Sequence, residues 1–134
     1  MSLVSGIRVL AVIFLISCAA ATDMQQRIPT GAWGGDHIAM EVGEQSARIE
    51  YDCAHGVIEG PLVVDANGRF SLRGTYTRER GGPIRADEQR RSEPASYVGS
   101  IKGNTMTLTL KLEGPEEDTF TLEKGKQGEL VKCK

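Results

Sequence analysis

The chain has 134 residues, with 16 Lys or Arg and 18 Asp or Glu, which gives a formal net charge of −2. So mild a charge, spread along the chain, does not favour a nucleic-acid-binding protein or a cationic membrane-binding protein. Once the N-terminal export signal described below is set aside, the remaining length is that of a single domain.

The first 18 residues have the features of an export signal. Arg8 supplies a positive flank, and residues 9–16 form an apolar core of signal-peptide length. As a helix this core would be about 12 Å long, which is too short to span the hydrocarbon core of a bilayer, about 30 Å thick. Leu15-Ile16-Ser17-Cys18 resembles the lipobox of bacterial lipoproteins, which implies lipid attachment at Cys18. We predict a signal peptide over residues 1–18 and a tether over residues 19–30. The alternatives are ordinary cleavage at the small residues 19–21 and a retained membrane anchor.

Two cysteines remain in the exported domain once Cys18 is assigned to the lipid or to the leader. Cys53 and Cys133 lie about 80 residues apart, in a compartment where disulfides persist. Closing so long a loop contributes about 4 kcal/mol in the chain-entropy description. We therefore predict a disulfide between Cys53 and Cys133, with two unpaired thiols as the alternative.

After residue 30 the apolar residues alternate with period two, which indicates β-strands. The longest such pattern, Ile58 to Thr77, predicts a hairpin with its turn at residues 65–68, where Gly68 suits a positive φ. It places Ile58 opposite Tyr76, and it places Gly60 opposite Gly74, a pair that would let the ribbon bend. The residues predicted to face the interior are Ile58, Leu62, Leu72, Tyr76, Ile101, Leu108 and Leu110.

The other hairpins follow from the same alternation. A four-residue turn at 43–46 and a type II′ turn at Gly103-Asn104 each join two strands. Residues 78–95 are predicted to be irregular, and residues 113–119 to form an acidic loop. The predicted cross-strand pairs are Met40 with Ile49, Ile101 with Met106, Phe120 with Leu112, Leu122 with Val131, and Phe120 with Cys133.

These hairpins predict an all-β fold, a small eight-stranded antiparallel up-and-down meander closed as a barrel over residues 31–134. In such a meander alternate connections lie at alternate ends. The tight turns at 43–46, 65–68, 103–104 and 125–128 share one end. The turn at 54–56, the stretch 78–95, the acidic loop, Cys53 and Cys133 share the other, which we call the loop-rich end.

Three resemblances to known proteins accompany this pattern. Gly31-Ala32-Trp33 at the start of the meander resembles the lipocalin (calycin) barrels, which implies a tryptophan packed across a closed barrel end. Tyr51-Asp52-Cys53 and the final Cys133-Lys134 resemble periplasmic inhibitors of lysozyme, although the Ser-Gly-x-x-Tyr loop of those small lipoproteins is missing here. Four segments resemble small exported bacterial proteins without an assigned activity: residues 33–37, 52–56, 79–83 and 106–110.

Arginines concentrate in the stretch 78–95, and their guanidinium groups suit carboxylates, phosphates or acidic glycans. Because binding groups are often carried by long loops, we predict a binding site at the loop-rich end. The alternative is a solvated loop, since acidic residues in the same stretch dilute its positive charge. Its candidate residues are Trp33, His55, Arg78, Arg80 and Arg85.

Metal and catalytic chemistry have less support in the sequence. His37, Asp52 and His55 are candidate zinc ligands, but the chain lacks ligand spacings of the HExxH or CxxC kind. His37 lies opposite Asp52 in the predicted register, so a cross-strand pair is the simpler interpretation. We assign no catalytic residue, because no nucleophile elbow is present.

The sequence therefore favours a binding or structural module of the bacterial cell envelope, held at the membrane by a lipid anchor on the periplasmic or outer face. The alternative localisation is secretion. The expected partner is a small apolar or anionic ligand or an envelope protein, with no cofactor and no nucleic acid. The alternatives are an inhibitor of an envelope-active enzyme such as lysozyme, and a metal-dependent hydrolase.

Overall fold

The computed structural model describes residues 26–79 and 92–133, and these residues form ten strands. Within these two ranges there is no helix able to cross a membrane. The strands are β1 (Gln26–Arg27), β2 (Gly31–Gly35), β3 (Ile38–Val42), β4 (Ser46–Tyr51), β5 (Ala54–Glu59), β6 (Val63–Val64), β7 (Arg69–Arg78), β8 (Ser92–Lys102), β9 (Thr105–Leu112) and β10 (Glu117–Lys124).

Eight of these strands close into an antiparallel barrel in the order β10-β2-β3-β4-β5-β7-β8-β9, which confirms the predicted fold class. The widest pairing joins β7 to β8 over nine residue pairs. The narrowest joins β10 to β2, where Glu123 lies opposite Gly34 and Lys124 opposite Trp33. The barrel thus closes between its first and last strands through a short seam.

The barrel interior is filled by side chains, as expected for eight strands. Of the residues predicted to face inward, Ile58, Leu62, Leu108 and Leu110 are buried, whereas Leu72, Tyr76 and Ile101 are only half-buried. The largest fully buried side chains are Trp33, Tyr97, Ile38, Ile49, Ile58, Met106, Leu108 and Leu122.

Two glycines allow close approaches in the barrel, Gly56 to the Tyr97 side chain and Gly74 to the backbone of the neighbouring strand β5. A Cβ at Gly56 would overlap the Tyr97 hydroxyl, and one at Gly74 would overlap the carbonyl oxygen of Val57. The Tyr97 hydroxyl donates to the Thr75 carbonyl at 2.6 Å, and burial raises the pKa of Tyr97 to about 12. The phenol therefore stays protonated and remains a donor to the neighbouring strand β7.

The predicted register of the Ile58–Thr77 hairpin is correct at the tip of the hairpin and wrong at its base. The Asp65 amide donates to the Arg69 carbonyl at 2.9 Å, as the predicted turn requires. At the base, however, Ile58 lies opposite Gly74 instead of Tyr76. Gly60 and Pro61 lie outside both strands, and Gly60 has a φ of 83°. This two-residue insertion shifts the register by two, which leaves every side chain on its predicted face.

Gln26–Arg27 and the strand after this insertion form a small sheet of their own. Gln26 lies opposite Val64 in the β1–β6 pair, and the Ile28 amide donates to the Leu62 carbonyl at 2.9 Å. Ile28, Leu62 and Val64 are all buried in the core. Residues 26–30, assigned to the tether in the sequence analysis, thus contact the barrel at its tight-turn end.

The pairings in the second half of the chain are right in part. Ile101 lies opposite Met106 as predicted, but Phe120 lies opposite Leu108 instead of Leu112. The reason is that β10 begins at Glu117, earlier than predicted, so the acidic loop is short. Ser92–Ala95, predicted to be irregular, are the first residues of β8.

The predicted last strand is wrong. β10 pairs with β2 on its free side, so no edge remains there for Val131 and Cys133. Residues 125–133, which we call the C-terminal segment, instead cross the outside of β2 and β3. The Gly125 amide donates to the Ala32 carbonyl at 2.7 Å, and the His37 amide donates to the Glu129 carbonyl at 2.8 Å.

Candidate binding site at the loop-rich end

The loop-rich end collects the turns after β2, β4 and β9 together with the end of β7. The C-terminal segment also ends there, because Cys133 forms a disulfide with Cys53 across a Cα–Cα distance of 5.2 Å. This confirms the predicted disulfide. The Cys133 amide donates to the Asp52 carbonyl at 3.2 Å, so the chain end is held by covalent and backbone contacts together.

His37 and Asp52 meet as the predicted register requires. Nδ1 of His37 lies 2.7 Å from Oδ2 of Asp52, and Oδ1 of Asp52 accepts the backbone N–H of Val131 at 2.9 Å. The hydrogen bond from Val131 lowers the pKa of Asp52; burial opposes this shift and the His37 contact adds to it. His37 has a φ of 65°, a left-handed conformation that is uncommon for a residue other than glycine.

A second histidine belongs to a network on the outer wall. Nδ1 of His55 lies 3.0 Å from Oε1 of Glu79. Lys132 Nζ donates to Oε2 of Glu79 at 3.0 Å and to Oε2 of Glu50 at 2.8 Å. Glu50 and His55 are cross-strand partners, so β4, β5, the end of β7 and the C-terminal segment all contribute to this network.

The pKa shifts in this network favour its charged forms. Burial acts to raise the pKa of Glu79, but hydrogen bonds from Lys132 and His55 outweigh it, so that pKa is lowered. Burial acts to lower the pKa of Lys132, but hydrogen bonds to Glu50 and Glu79 outweigh it, so that pKa is raised. The network is thus mutually satisfied, and its role is to hold the C-terminal segment.

Arg78 lies at the mouth of the barrel, on the inward-facing row of β7 beyond Tyr76. Its guanidinium carbon is 5.7 Å from the centre of the Tyr76 ring. Its Nη2 lies 3.0 Å from Oε2 of Glu116, and its Nε lies 3.7 Å from Oε1 of Glu93. The Arg78 side chain is nonetheless 63% exposed, so a ligand can reach the guanidinium group from solvent.

Aromatic rings form the floor below Arg78. The ring centre of Tyr51 lies 5.5 Å from that of Tyr76 and 5.4 Å from that of Phe120. The Tyr51 hydroxyl is buried and has no hydrogen-bond partner among the described residues. Burial raises the pKa of Tyr51 far above its ordinary range. The mouth therefore combines an exposed cation with an apolar aromatic floor.

The structure separates the other predicted binding residues. His55 lies at the loop-rich end, within the network described above. Trp33 lies inside the barrel, only 1% exposed, and its indole N–H donates to the Pro29 carbonyl at 3.1 Å. Arg80 and Arg85 lie outside the described residues, as does Cys18. Arg78 is thus the predicted binding residue that the structure places at an accessible mouth.

The candidate metal ligands do not converge. His37 contacts Asp52, whereas His55 contacts Glu79. Across residues 26–79 and 92–133, no three His, Cys, Asp or Glu side chains come together as a metal site would require. Each histidine is paired with its own carboxylate.

The sequence did not predict the three residues that join His55 in the outer-wall network, Glu50, Glu79 and Lys132, and it placed Tyr51, Tyr76 and Phe120 in the interior without assigning them to the binding site. Glu50 carries a usable signal, because the outward alternation of β4 and β5 sets it opposite His55. Lys132 carries another, because the predicted disulfide places its neighbour Cys133 beside Cys53. Glu79 carries none, since it lies in the stretch that was predicted to be irregular.

In comparisons with models of protein families, with curated proteins and with solved structures, nothing matches this chain. The chemistry of the site must therefore be inferred from its geometry.

Proposed function

We propose that this protein is a binding module of the cell envelope, lipid-anchored through Cys18, that recognises an anionic group through the barrel mouth. The observation that carries the proposal is the position of Arg78, an exposed guanidinium above the Tyr76 ring. A cation over an aromatic face is held in place and still presents its donors to an incoming anion.

The packing of the barrel favours a binding site at the loop-rich end over one at the tight-turn end. The interior is filled by large side chains such as Trp33 and Tyr97. The tight-turn end is covered by β1, β6 and the buried side chain of Ile28. The longest connection between barrel strands runs from Arg78 to Ser92 and leaves and re-enters the barrel at the loop-rich end, and long connections on a rigid scaffold are where binding groups concentrate.

The ion pairs of Arg78 suggest how a ligand would bind. Glu116 is 66% exposed, and exposed ion pairs contribute little to stability. A carboxylate, sulfate or phosphate on the partner would displace Glu116 from the guanidinium at small cost. An apolar group attached to that anion would lie against Tyr76 and Phe120. The preferred partner is therefore an amphipathic anion or an envelope protein with an acidic side chain beside an apolar one.

The test is Arg78→Ala, alone and together with Arg80→Ala and Arg85→Ala. Retention of the protein on immobilised envelope extract at low and high salt is the measurement, because exposed charges are screened by salt. We expect the Tm to be nearly unchanged and retention to fall, most clearly at low salt. Inhibition of lysozyme should be measured in the same experiments. If the unaltered protein inhibits lysozyme and Arg78→Ala does not, lysozyme is identified as one such partner.

Glu44→Ala and Lys126→Ala are the matched controls, since both alter exposed charges away from the mouth. These controls should bind like the unaltered protein. Retention that survives Arg78→Ala but is lost in a control would place the site elsewhere and overturn the proposal.

A further inference from the structure

A groove of about 330 Å³ lies on the outer wall of the barrel, across β7, β8 and β9. We propose that this outer groove is a binding site for a small organic anion that also carries a hydrogen-bond donor. The site is separate from the barrel mouth and stands whether or not the proposed function is correct. Its lining residues are Arg73, Gly74, Pro94, Ala95, Ser96, Lys111, Leu112 and Glu113.

One side of the groove is a cross-strand row of polar side chains. Ser96 lies opposite Arg73 on one neighbour and opposite Lys111 on the other. Because adjacent strands are about 4.8 Å apart, the two cationic residues begin about 10 Å apart across Ser96. Both side chains are long enough to reach one anion above the serine hydroxyl.

The other side and the floor have a different character. Pro94 and Glu113 form the opposite side, and Gly74, Ala95 and Leu112 lie between the two sides. Gly74 has no side chain because the carbonyl oxygen of Val57 occupies that space. Because Ala95 belongs to the core and Leu112 packs against it, the floor of the outer groove is the backbone of β7, β8 and β9. A flat ring fits against this backbone, and Glu113 accepts a hydrogen bond from its far end.

A ligand can replace the present ion-pair partner of Lys111 in the outer groove. Lys111 Nζ lies 3.5 Å from Oε1 of Glu117 in an exposed pair, and such a pair contributes little. A ligand carboxylate would therefore compete with Glu117 for Lys111 while it contacts Arg73. Glu113 disfavours a bare dianion, which is why the proposed ligand carries both an anion and a donor.

The probe is 4-hydroxybenzoate, followed by NMR through the backbone amides of the whole domain. Its carboxylate matches Arg73 and Lys111, its ring matches the floor, and its hydroxyl matches Glu113. We expect saturable shifts centred on Ser96 and Leu112, with a Kd of roughly 1 mM or tighter. Neutral 4-hydroxybenzamide should bind about tenfold more weakly, since it lacks the charge that the two cations recognise.

The double variant Arg73→Gln/Lys111→Gln should weaken binding of 4-hydroxybenzoate about tenfold or more while its amide spectrum stays that of a folded barrel. Arg48→Gln/Lys102→Gln, which removes two exposed cations elsewhere, should bind unchanged. Equal weakening in both double variants would indicate general charge attraction and would overturn the site.

Two further outcomes also overturn it. Shifts centred on Tyr76 that disappear in Arg78→Gln would place the anion at the barrel mouth, which supports the proposed function and contradicts the groove. The absence of saturable shifts in the folded protein would show that the groove does not hold such an anion.

Discussion

Oδ1 of Asp52 accepts a hydrogen bond of 2.9 Å from the backbone N–H of Val131, so the turn after β4 holds the C-terminal segment against the barrel. The neighbouring Cys53 makes the same connection covalently through Cys133. This segment lies over β2 and β3, beside the short seam that closes the barrel. Two conditions should therefore loosen it, reduction of the disulfide and protonation of Asp52.

Removal of the disulfide should destabilise the domain by about 2–5 kcal/mol, because the bond closes a loop with a sequence separation of 80. The variant is Cys53→Ser/Cys133→Ser, which leaves no unpaired thiol in the barrel. Urea unfolding gives the free energy, and hydrogen exchange at the Glu129 amide, which donates to the Gly35 carbonyl at 3.1 Å, reports the segment. Rapid labelling of both thiols in the native, unreduced protein would contradict the bond.

The stability of the domain should fall in acid partly through Asp52. Its pKa is lowered in the folded protein, chiefly by the hydrogen bond from Val131, so the fold favours the carboxylate. The contribution is present above the ordinary aspartate pKa of about 3.9 and is lost as the pH falls through the lower folded value. Urea midpoints measured from about pH 6 to about pH 3 should decline less steeply in Asp52→Asn than in the unaltered protein.

Glu44→Gln is the control for this pH series, because Glu44 is an exposed carboxylate in the turn after β3. It should keep the slope of the unaltered protein. An identical slope in Asp52→Asn would show that the contact with Val131 does not favour the charged form.

Leu108→Ala should cost about 2–5 kcal/mol of unfolding free energy. Leu108 is fully buried and lies between Gly99 on β8 and Phe120 on β10, so its removal leaves a cavity that glycine cannot fill. Thr107→Ala on the exposed face of the same strand should change the free energy by less than about 0.5 kcal/mol. Equal costs in the two variants, measured by urea unfolding, would contradict the assignment of faces.

Cys18→Ser should release the protein from membranes if Cys18 carries the lipid. Cell fractionation gives the distribution, and the intact mass of the mature protein gives the modification. Ser5→Ala, a change elsewhere in the leader, should leave both unchanged. A mature chain that begins at Thr22 without lipid would show that ordinary cleavage occurs.

The sequence by itself determined the buried faces of the strands between residues 38 and 112 and the turns at 43–46 and 103–104. The turn predicted at 54–56 was wrong, because Ala54–Glu59 form β5. The alternation of apolar residues predicted that Met40 lies opposite Ile49 and that Ile101 lies opposite Met106, and the structure has both pairs. These predictions were possible because a tight turn joins the two strands in each case and allows only one register. The disulfide between Cys53 and Cys133 was also predicted correctly, although the last strand that the predicted meander assigned to Cys133 does not form.

Tertiary structure alone decided the registers that pass through longer connections. A period-two pattern looks the same after a shift of two or four residues, so it could not detect the insertion at Gly60-Pro61 or the early start of β10 at Glu117. Closure of the barrel was predicted, but the pair of strands that closes it was not. β10 pairs with β2 and not with the last residues of the chain, because a barrel closes between strands that are distant in sequence.

The candidate sites divide in the same way. His37 and Asp52 could be paired from sequence because they flank one hairpin. The row of Arg73, Ser96 and Lys111 and the contacts of Lys132 with Glu50 and Glu79 required the folded barrel. Each joins residues from elements whose relative positions depend on packing and closure, and no local pattern records those positions.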